Sequence, residues 1–336
     1  MFVAQKAQLV GAIEDPAYAE ETIASANFDI EVENLEWSEN VAEFQRKLAD
    51  GTLDSSPSVM GKQSASCSFM TCLNPGSSAT DEPKWSKFLQ ACGFYATGWD
   101  GGAEVAVGSA VDGISWRPHK DYTHTPMTFK AFEVYSSGVA ADLNKQMVTT
   151  MVGCMGNVTF LIGDAGEPIQ MNFEFQGSIE SVADVAAPVA LVPTGVSSVQ
   201  PPSVLGATVT VGGVSQCISK FEINTGNSVN LWTCATEDSG IKGAYIGSRE
   251  TTLNIDPIAE LVATESVYAD WVAGTTGAVA IVLGSTPVLR LDAPTAQKST
   301  VARGERDEAR IFEETFRLHK GSSGNDSFEL LQGAKT

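Results

Sequence analysis

The sequence predicts a mainly β fold made of two similar domains, each a β-barrel or sandwich with a short flanking α-helix. Short runs of alternating apolar and polar residues, bounded by Gly, Pro, Asn or Ser, recur along the chain. The clearest run is IQMNFEFQ, residues 169–176, which alternates without an error. A proline-rich stretch at 182–203 separates two parts of similar size, and strand, helix, strand and hairpin follow in the same order in both.

Composition and charge exclude several classes of protein. The chain has 336 residues, 43% of them hydrophobic and 18% charged, which is ordinary globular composition. Its 41 acidic and 21 basic residues give a net charge of −20, which argues against a protein that grips nucleic acid through its phosphates. Residues 1–15 lack the pattern of a signal peptide, and no run reaches the ~18 apolar residues of a membrane span. We therefore expect a soluble protein with no membrane partner.

Strand patterns dominate the chain, and turn residues bound each of them. Gly212–Gly213 between two such runs predicts a tight hairpin turn, and residues 163–168 predict a longer hairpin loop. The predicted strands are residues 30–32, 66–72, 104–111, 127–135, 157–162, 169–176, 207–211, 218–224, 251–255, 278–283, 312–318 and 328–331.

Three segments have the spacing of amphipathic helices. In residues 81–93, Asp81 is placed to cap a helix, Pro83 lies near its first turn and Gly93 ends it. Apolar residues at helical spacing also predict helices over 41–51 and 265–274. We expect the helix at 81–93 to pack on a sheet.

These elements predict four parts of the chain. Residues 1–28 form an N-terminal arm, 29–181 a first domain, 182–203 a linker and 204–336 a second domain. The linker contains four prolines and no period that holds. The repeated order of elements makes a duplicated domain our interpretation of the chain.

Motifs for catalysis or metal binding are scarce. His119 and His124, with Asp121, offer too few ligands for a zinc site. Residues 237–240, Glu-Asp-Ser-Gly, resemble the nucleophile region of trypsin-like proteases, but Ile241 stands where that region has a second glycine. No phosphate-binding glycine loop occurs. We therefore predict no catalytic, cofactor-binding or metal-binding residue.

The cysteines indicate a reducing compartment. They are sparse, and no two of them have the C-x-x-C spacing of a metal or redox motif. We expect buried thiols in a reducing cytoplasm, ahead of disulfides or metal ligands. The residues concerned are Cys67, Cys72, Cys92, Cys154, Cys217 and Cys234.

Six short blocks follow one another in a recognisable order over residues 8–190. They are Ile13-Glu14 with Tyr18, Gly61-Lys62, Pro83-Lys84-Trp85, Leu89-Gln90-Ala91-Cys92-Gly93-Phe94, Gly156-Asn157-Val158-Thr159-Phe160 and Gly166-Glu167-Pro168. In this order the blocks resemble the major tail tube proteins of long-tailed, siphovirus-like bacteriophages. The second half resembles that family more loosely, through an arginine that precedes a strand ending in Asp-Pro within residues 239–257.

The resemblance implies a structural virion protein and no enzyme. Its fold would be duplicated tail-tube-type β-barrel or sandwich domains, with six domain copies around each stacked ring and sheets that line a channel. The polar side of residues 169–176 would then face the channel. The alternative is that it faces the solvent outside the tube. The candidate lumen-facing residues are Gln170, Asn172, Glu174 and Gln176 in the first half, and Glu313, Thr315 and Arg317 in the second.

The resemblance also implies partners and a location. The chain would bind itself in rings of three subunits with pseudo-six-fold symmetry, or alternatively of six. It would meet a tape-measure protein and the tail terminator and distal tail proteins, and double-stranded DNA would pass through without specific binding. The protein would be assembled in the host cytoplasm and reside in the phage tail. The alternatives are a capsid decoration protein and a tail-associated β-rich binding module.

Overall fold

Within the residues that the computed structural model describes, the fold is mainly β, as the sequence predicts. The described residues make up most of the chain, and the two α-helices among them are short. The described residues are 2–20, 32–46, 57–119, 125–135, 146–162, 164–185, 201, 205–283, 288–321, 324 and 326–334.

The first part of the chain forms nine strands and a helix among the described residues. They are β1 (Phe2–Ile13), β2 (Glu33–Phe44), β3 (Val59–Cys72), α1 (Ser86–Ala91), β4 (Phe94–Asp100), β5 (Ala103–Val105), β6 (Gly113–Pro118), β7 (Met127–Tyr135), β8 (Gln146–Ile162) and β9 (Gln170–Val185).

The second part forms ten strands and a helix among the described residues. They are β10 (Thr208–Val211), β11 (Val214–Gln216), β12 (Phe221–Asn224), β13 (Asn227–Thr233), β14 (Ile241–Arg249), β15 (Thr252–Ile255), α2 (Val267–Ala273), β16 (Thr276–Leu283), β17 (Leu289–Arg306), β18 (Ala309–Leu318) and β19 (Glu329–Gly333).

Eight strands from both parts form one continuous antiparallel run in the order β2, β3, β9, β8, β12, β15, β18, β17. The two parts join where β12 pairs with the end of β8, with Phe221 opposite Ile162 and Asn224 opposite Thr159. A single sheet surface therefore extends from the first part of the chain into the second.

The remaining strands extend this sheet or cover it. β1 pairs with β7, which pairs with β8, and β10 pairs with both β11 and β16. β19 joins β17 to β6, so the C-terminal strand lies against the first part. There Gln332 is fully buried, and its Nε2 donates hydrogen bonds to the carbonyl oxygens of Ser78 and Asp81 at 2.8 and 2.9 Å.

The pairing order is the same in both parts. In the first part it runs β1, β7, β8, β9, β3, β2. In the second it runs β10, β16, β17, β18, β15, β12. α1 follows β3 and α2 follows β15, so each helix comes after the corresponding strand.

Aromatic side chains fill the core between α1 and the sheet of the first part. The ring of Phe69 lies 4.9 Å from Phe88 of α1 and 5.4 Å from Phe173 of β9, centroid to centroid. Phe129 and Phe175 lie 4.7 Å apart. All five rings are at most 1% exposed, so burial of apolar area is the main force that holds α1 on the sheet.

The helix predicted at 81–93 is present but begins later than expected. Asp81 does not cap it, because its carboxylate accepts hydrogen bonds from the backbone N and Oγ of Ser77 at 2.9 and 2.7 Å. These bonds lower the pKa of Asp81 and stabilise a turn ahead of the helix. The helix predicted at 265–274 is confirmed as α2, and Gly274 ends it with a φ of 64°.

The prediction of a helix at 41–51 is wrong. β2 continues to Phe44, with Val41 opposite Gln63 and Phe44 opposite Val59 on β3. The helical spacing of the two apolar residues is thus a coincidence, and cross-strand pairing decides the conformation. Residues 47–51 lie outside the described residues.

The bounds of two predicted strands are also corrected. β5 ends at Val105, because the chain turns at 107–109, where the N–H of Ser109 donates to the carbonyl oxygen of Ala106 at 2.8 Å. Small side chains let this turn close over Gly98, so 104–111 is not one strand. Of the strand predicted at 30–32, residues 30 and 31 lie outside the described residues, and Val32 immediately precedes β2. β9 continues to Val185, into the stretch predicted as linker, and 186–200 lie outside the described residues.

Candidate functional site

β9 has one buried and one solvent-facing side, as its alternation predicts. Ile169, Met171, Phe173 and Phe175 are at most 1% exposed. On the other side Gln170 and Asn172 are half-buried, and Glu174 and Gln176 are exposed. The backbone of β9 is paired on both edges, with β3 and β8, so these polar side chains stand on the open surface of a sheet.

β18 shows the same alternation in the second part. Glu313 and Arg317 are exposed and Thr315 is half-buried, whereas Glu314 and Phe316 are buried on the other side. The three candidate residues therefore share one face of β18.

Cross-strand pairs join the two candidate faces into one. Asn172 lies opposite Thr159, Thr159 opposite Asn224, Asn224 opposite Thr252, and Thr252 opposite Arg317. Paired residues of antiparallel strands point to the same side of a sheet. Asn172 and Arg317 thus stand on the same surface, four strands apart. A parallel row runs from Gln170 through Leu161, Glu222 and Asn254 to Thr315.

This surface, which we call the polar face, is acidic. Arg317 is a cation on it, and its Nε lies 3.3 Å from Oε1 of Glu250. Exposed carboxylates repeat along the face. They are Glu36 on β2, Glu174 on β9, Glu222 on β12 and Glu313 on β18. Each carboxylate sits on a different strand, so the negative charge is spread over the whole face.

The polar face is not flat, because the β13–β14 hairpin crosses it. Oγ of Ser178 on β9 donates to Oγ of Ser239 at 2.6 Å, and the N–H of Gln63 on β3 donates to the carbonyl oxygen of Ser239 at 2.9 Å. Between this hairpin and β2 lies a cleft of about 830 Å³. Its lining includes Glu36, Ser68, Asn157, Glu174, Gln176 and Ser228. Sequence reasoning missed this hairpin, because β13 has no fully buried residue and alternates only between half-buried and exposed ones, and the burial pattern of β14 is irregular.

Asn157 holds the junction where the sheet passes from β8 to β12. Its Oδ1 accepts hydrogen bonds from Oγ1 of Thr225 at 2.6 Å and from the N–H of Asn227 at 2.9 Å. Its Nδ2 donates to Oδ1 of Asn224 at 3.1 Å. The Gly-Asn-Val block of the sequence therefore has a structural role at this junction.

Arg249 ties the second part to the C-terminal end of α1. Its Nη2 donates to the carbonyl oxygens of Cys92 and Gly93 at 3.1 and 3.0 Å, and its Nε donates to Oδ1 of Asn227 at 2.7 Å. Burial lowers the pKa of Arg249 to about 10, so the side chain is charged at neutral pH. A cation at a helix C-terminus is favourable, because unpaired carbonyl oxygens point towards it.

Tyr18 holds the β13–β14 hairpin from the N-terminal side, and the Glu14 carboxylate accepts a hydrogen bond from the N–H of Tyr18 at 2.8 Å. The Glu14 carboxylate is 4% exposed and accepts hydrogen bonds from Oγ1 of Thr128 at 3.0 Å and from the N–H of Gly153 at 2.7 Å. Tyr18 packs edge-on against Trp232, and its hydroxyl donates to the carbonyl oxygen of Ala244 at 3.1 Å. The Glu and Tyr of the opening block therefore work together.

An ionic cluster lies on the opposite side of β18 from the polar face. Nζ of Lys298 is 3.0 Å from Oε2 of Glu314 and 3.2 Å from Oε1 of Glu265. Burial raises the pKa of Glu314, and the charge of Lys298 opposes that shift. Sequence reasoning missed this cluster, although the adjacent Glu313 and Glu314 within one strand require one carboxylate to point inward.

Among the described residues, Ser239 and His119 do not form a reactive arrangement. Oγ of Ser239 donates to the carbonyl oxygen of Ile241 at 2.9 Å, and its partners are a serine and backbone atoms. His119 packs edge-on against Tyr95. His124 and Asp121 lie outside the described residues. Within the described residues no group of three or more His, Cys, Asp or Glu could hold a metal ion.

The thiols are only in part as expected. Cys67, Cys92 and Cys154 are buried, and burial raises the pKa of each of these thiols. Cys217 is exposed, so the expectation of a buried thiol is wrong there. It lies just beyond β11, where the chain leaves the sheet.

Comparison with known proteins identifies the chain. Among the described residues, no helix is both long and apolar enough to cross a membrane. No curated protein matches the chain. A family model described as phage tail tube protein matches residues 45–315, which include all the candidate residues from Gln170 to Thr315. This family is structural and is not an enzyme class. Since the match covers most of the 336 residues, the chain belongs to the phage tail tube protein family.

Proposed function

We propose that the chain polymerises into stacked rings and that these rings form the tail tube, the conduit through which the phage genome enters the host. The observation that carries this proposal is the acidic polar face, whose eight strands pair continuously from one part of the chain into the other. A wide sheet with a hydrophilic surface suits the inner wall of a channel.

The polar face forms the channel lining in this proposal. Gln170, Asn172, Glu174 and Gln176 line the lumen from one half of each chain, and Glu313, Thr315 and Arg317 line it from the other. DNA phosphates that pass within a Debye length of these carboxylates, ~8 Å at physiological salt, are repelled and are not bound. Double-stranded DNA then moves through the tube without specific binding.

Three chains form each ring. The support for this number is the pairing order, which is the same in the two parts of the chain. Residues 29–181 and 204–336 would then be duplicated wall domains, joined by the segment around 182–203. Three copies supply six such domains, with true three-fold and approximate six-fold symmetry. The competing arrangement has six chains per ring, with one half projecting outward.

The remaining partners follow from a tube of this kind. A tape-measure protein would occupy the lumen during assembly, and terminator and distal tail proteins would close the two ends. Assembly would take place in the host cytoplasm, and the product would be part of the virion.

Electron microscopy of the purified protein tests the proposal. We expect filaments with a central channel, and helical reconstruction should give three chains per ring with the polar face on the channel. Six chains per ring would overturn the stoichiometry, and a polar face on the outside would overturn the lumen assignment. Free oligomers that bind capsids instead of forming filaments would favour a decoration protein and overturn the tube itself.

A further inference from the structure

The eight-strand run has two ends, and both are open edges. Within the described residues β2 is paired with β3 alone. At the other end, residues 300–306 of β17 are paired, in the part of the chain that the structure describes, with β18 alone, because β16 and β19 pair with β17 only up to Gln297. An open strand edge presents unpaired N–H and C=O groups and is a ready template for another strand.

The directions of the two end strands permit a specific kind of closure. Every step from β2 to β17 is antiparallel, and there are eight strands, so β2 and β17 run in opposite directions. Rotation of a copy about a tube axis does not reverse its strands. The β2 of one copy is therefore antiparallel to the β17 of the next copy, so a ladder between the two would be antiparallel like every other ladder of the run. An odd number of strands would not permit this.

The charges on the two edges are complementary. β2 carries four glutamates and no basic residue, and among the described residues none of these glutamates forms an ion pair. The open part of β17 carries Arg303 and Arg306 against Glu305. Arg306 is 2.6 Å from Asp256, but Arg303 has Tyr268 as its partner and no carboxylate within the described part of the chain.

We infer that the β2 edge of one copy pairs antiparallel with residues 300–306 of β17 in the next copy of this chain, and that this head-to-tail ladder closes the ring. The inference rests on the tube function proposed above and names the surfaces that build it. A heterologous contact of this kind forms a ring when its rotation closes. The ladder between β12 and β8 is a precedent within the chain, because there too a strand of one half extends the sheet of the other.

The first test is the helical reconstruction of the wild-type tube. The expected result is β2 at about 4.8 Å from residues 300–306 of the neighbouring copy, in an antiparallel ladder. If the β2 edge or the edge at 300–306 pairs with a different strand, or faces solvent, the inference is overturned and the tube function remains. A wild-type protein that forms no tube overturns the proposed function instead.

Charge variants give a second test, which does not require a reconstruction of the tube. Glu36 and Glu39 lie on opposite sides of β2, so Glu36→Lys with Glu39→Lys places a cation on each side. We expect this variant to remain a folded monomer and to lose tube formation, and we expect Arg303→Glu to restore tubes when it is added. Glu260→Lys, at an exposed loop position, is the matched control and should form tubes normally.

The alternative is that the β2 glutamates only blunt an open edge against aggregation. In that case the double lysine variant forms normal tubes, and this result overturns the inference. Loss of tubes without restoration by Arg303→Glu also counts against the pairing with β17. Circular dichroism of the unassembled variants separates these outcomes from a failure to fold.

Discussion

Asn172 and Arg317 stand in one transverse row on the same side of a continuous sheet, although they belong to different halves of the chain. The row passes through Thr159, Asn224 and Thr252, each opposite the next on neighbouring strands. The sheet is continuous because β12 adds to the end of β8, and the Asn157 side chain fixes that junction by three hydrogen bonds. A substitution on this surface can therefore be judged by its position relative to the proposed channel.

A first prediction concerns Glu174, which is exposed in the cleft of the polar face. Glu174→Lys should leave tubes intact and slow genome ejection several-fold, because a lysine in every copy attracts phosphates where a carboxylate repels them. The effect should shrink as salt is added. Ejection rates of purified phage at two salt concentrations measure it.

Glu174→Gln is the control for that experiment, since it removes the charge without adding a cation. It should eject DNA at nearly the wild-type rate. If Glu174→Lys ejects normally at low salt, Glu174 does not line the channel.

A second prediction concerns Tyr18, which holds the β13–β14 hairpin through Trp232 and the carbonyl oxygen of Ala244. Tyr18→Ala should lower the free energy of unfolding by about 1–3 kcal/mol, as expected for the loss of a half-buried aromatic ring. Tyr18→Phe keeps the ring and should cost only about 1 kcal/mol, the typical net value of one hydrogen bond. Urea unfolding of the unassembled protein measures both. Equal losses in the two variants would mean that the ring contributes nothing.

A third prediction concerns Arg249. Arg249→Met should destabilise the chain by about 2–3 kcal/mol, because the carbonyl oxygens of Cys92 and Gly93 lose their buried donor. Arg290→Met is the matched control: Arg290 is exposed, and its ion-pair partner among the described residues is Asp292, so its loss should change stability by less than about 1 kcal/mol. Denaturant midpoints of the two variants give the comparison, and similar losses would show that burial of Arg249 is unimportant.

Some elements of the fold could be predicted from the sequence and others could not. β9 was predictable because its period of two is unbroken, and α2 because Gly274 marks its end. β17 was missed, since Pro294 interrupts its pattern and a bulge between Lys298 and Thr300 shifts the side that its residues face. The alternation of apolar and polar residues predicts burial correctly only where a strand has one buried side along its whole length.

The arrangement of the candidate surface was only half predictable. Residues 169–176 and 312–318 each indicate a polar side, but their union on one sheet depends on the ladder between β12 and β8. That ladder joins residues about 60 positions apart, and nothing local specifies it. The helix prediction at 41–51 failed for the same reason, because residues 41–44 are held in β2 by pairing with β3.

A fourth prediction concerns the absence of catalysis. Ser239→Ala should leave tail assembly and infectivity nearly unchanged, because the partners of the Ser239 hydroxyl among the described residues are Ser178 and Ile241, and neither is a catalytic base. The loss of these hydrogen bonds should cost about 1 kcal/mol of stability. His119→Ala should also leave infectivity unchanged. Plaque titres with electron microscopy of the tails check this, and normal tails with lost infectivity would revive an enzymatic role.

A fifth prediction concerns the pH dependence of stability at Glu314. Burial raises the pKa of this carboxyl above its ordinary value, so the folded state holds the proton more tightly than the unfolded state does. The stability that this group contributes is complete below its unfolded pKa, about 4.3, and is lost as pH rises through the folded pKa. Glu314→Gln keeps a neutral side chain at every pH and should not show this loss.

The difference in unfolding free energy between wild type and Glu314→Gln should therefore move in favour of the variant as pH rises from about 4 towards neutral. The partners around Glu314 limit the effect, because Lys298 favours the charged form whereas Glu265 and Asp270 oppose it. Glu313→Gln is the matched control: this neighbour is exposed on the polar face, and its removal should leave the pH profile unchanged. Urea titrations at several pH values measure the difference. A Glu314→Gln profile parallel to that of the wild type would show that Lys298 fully compensates the burial of Glu314.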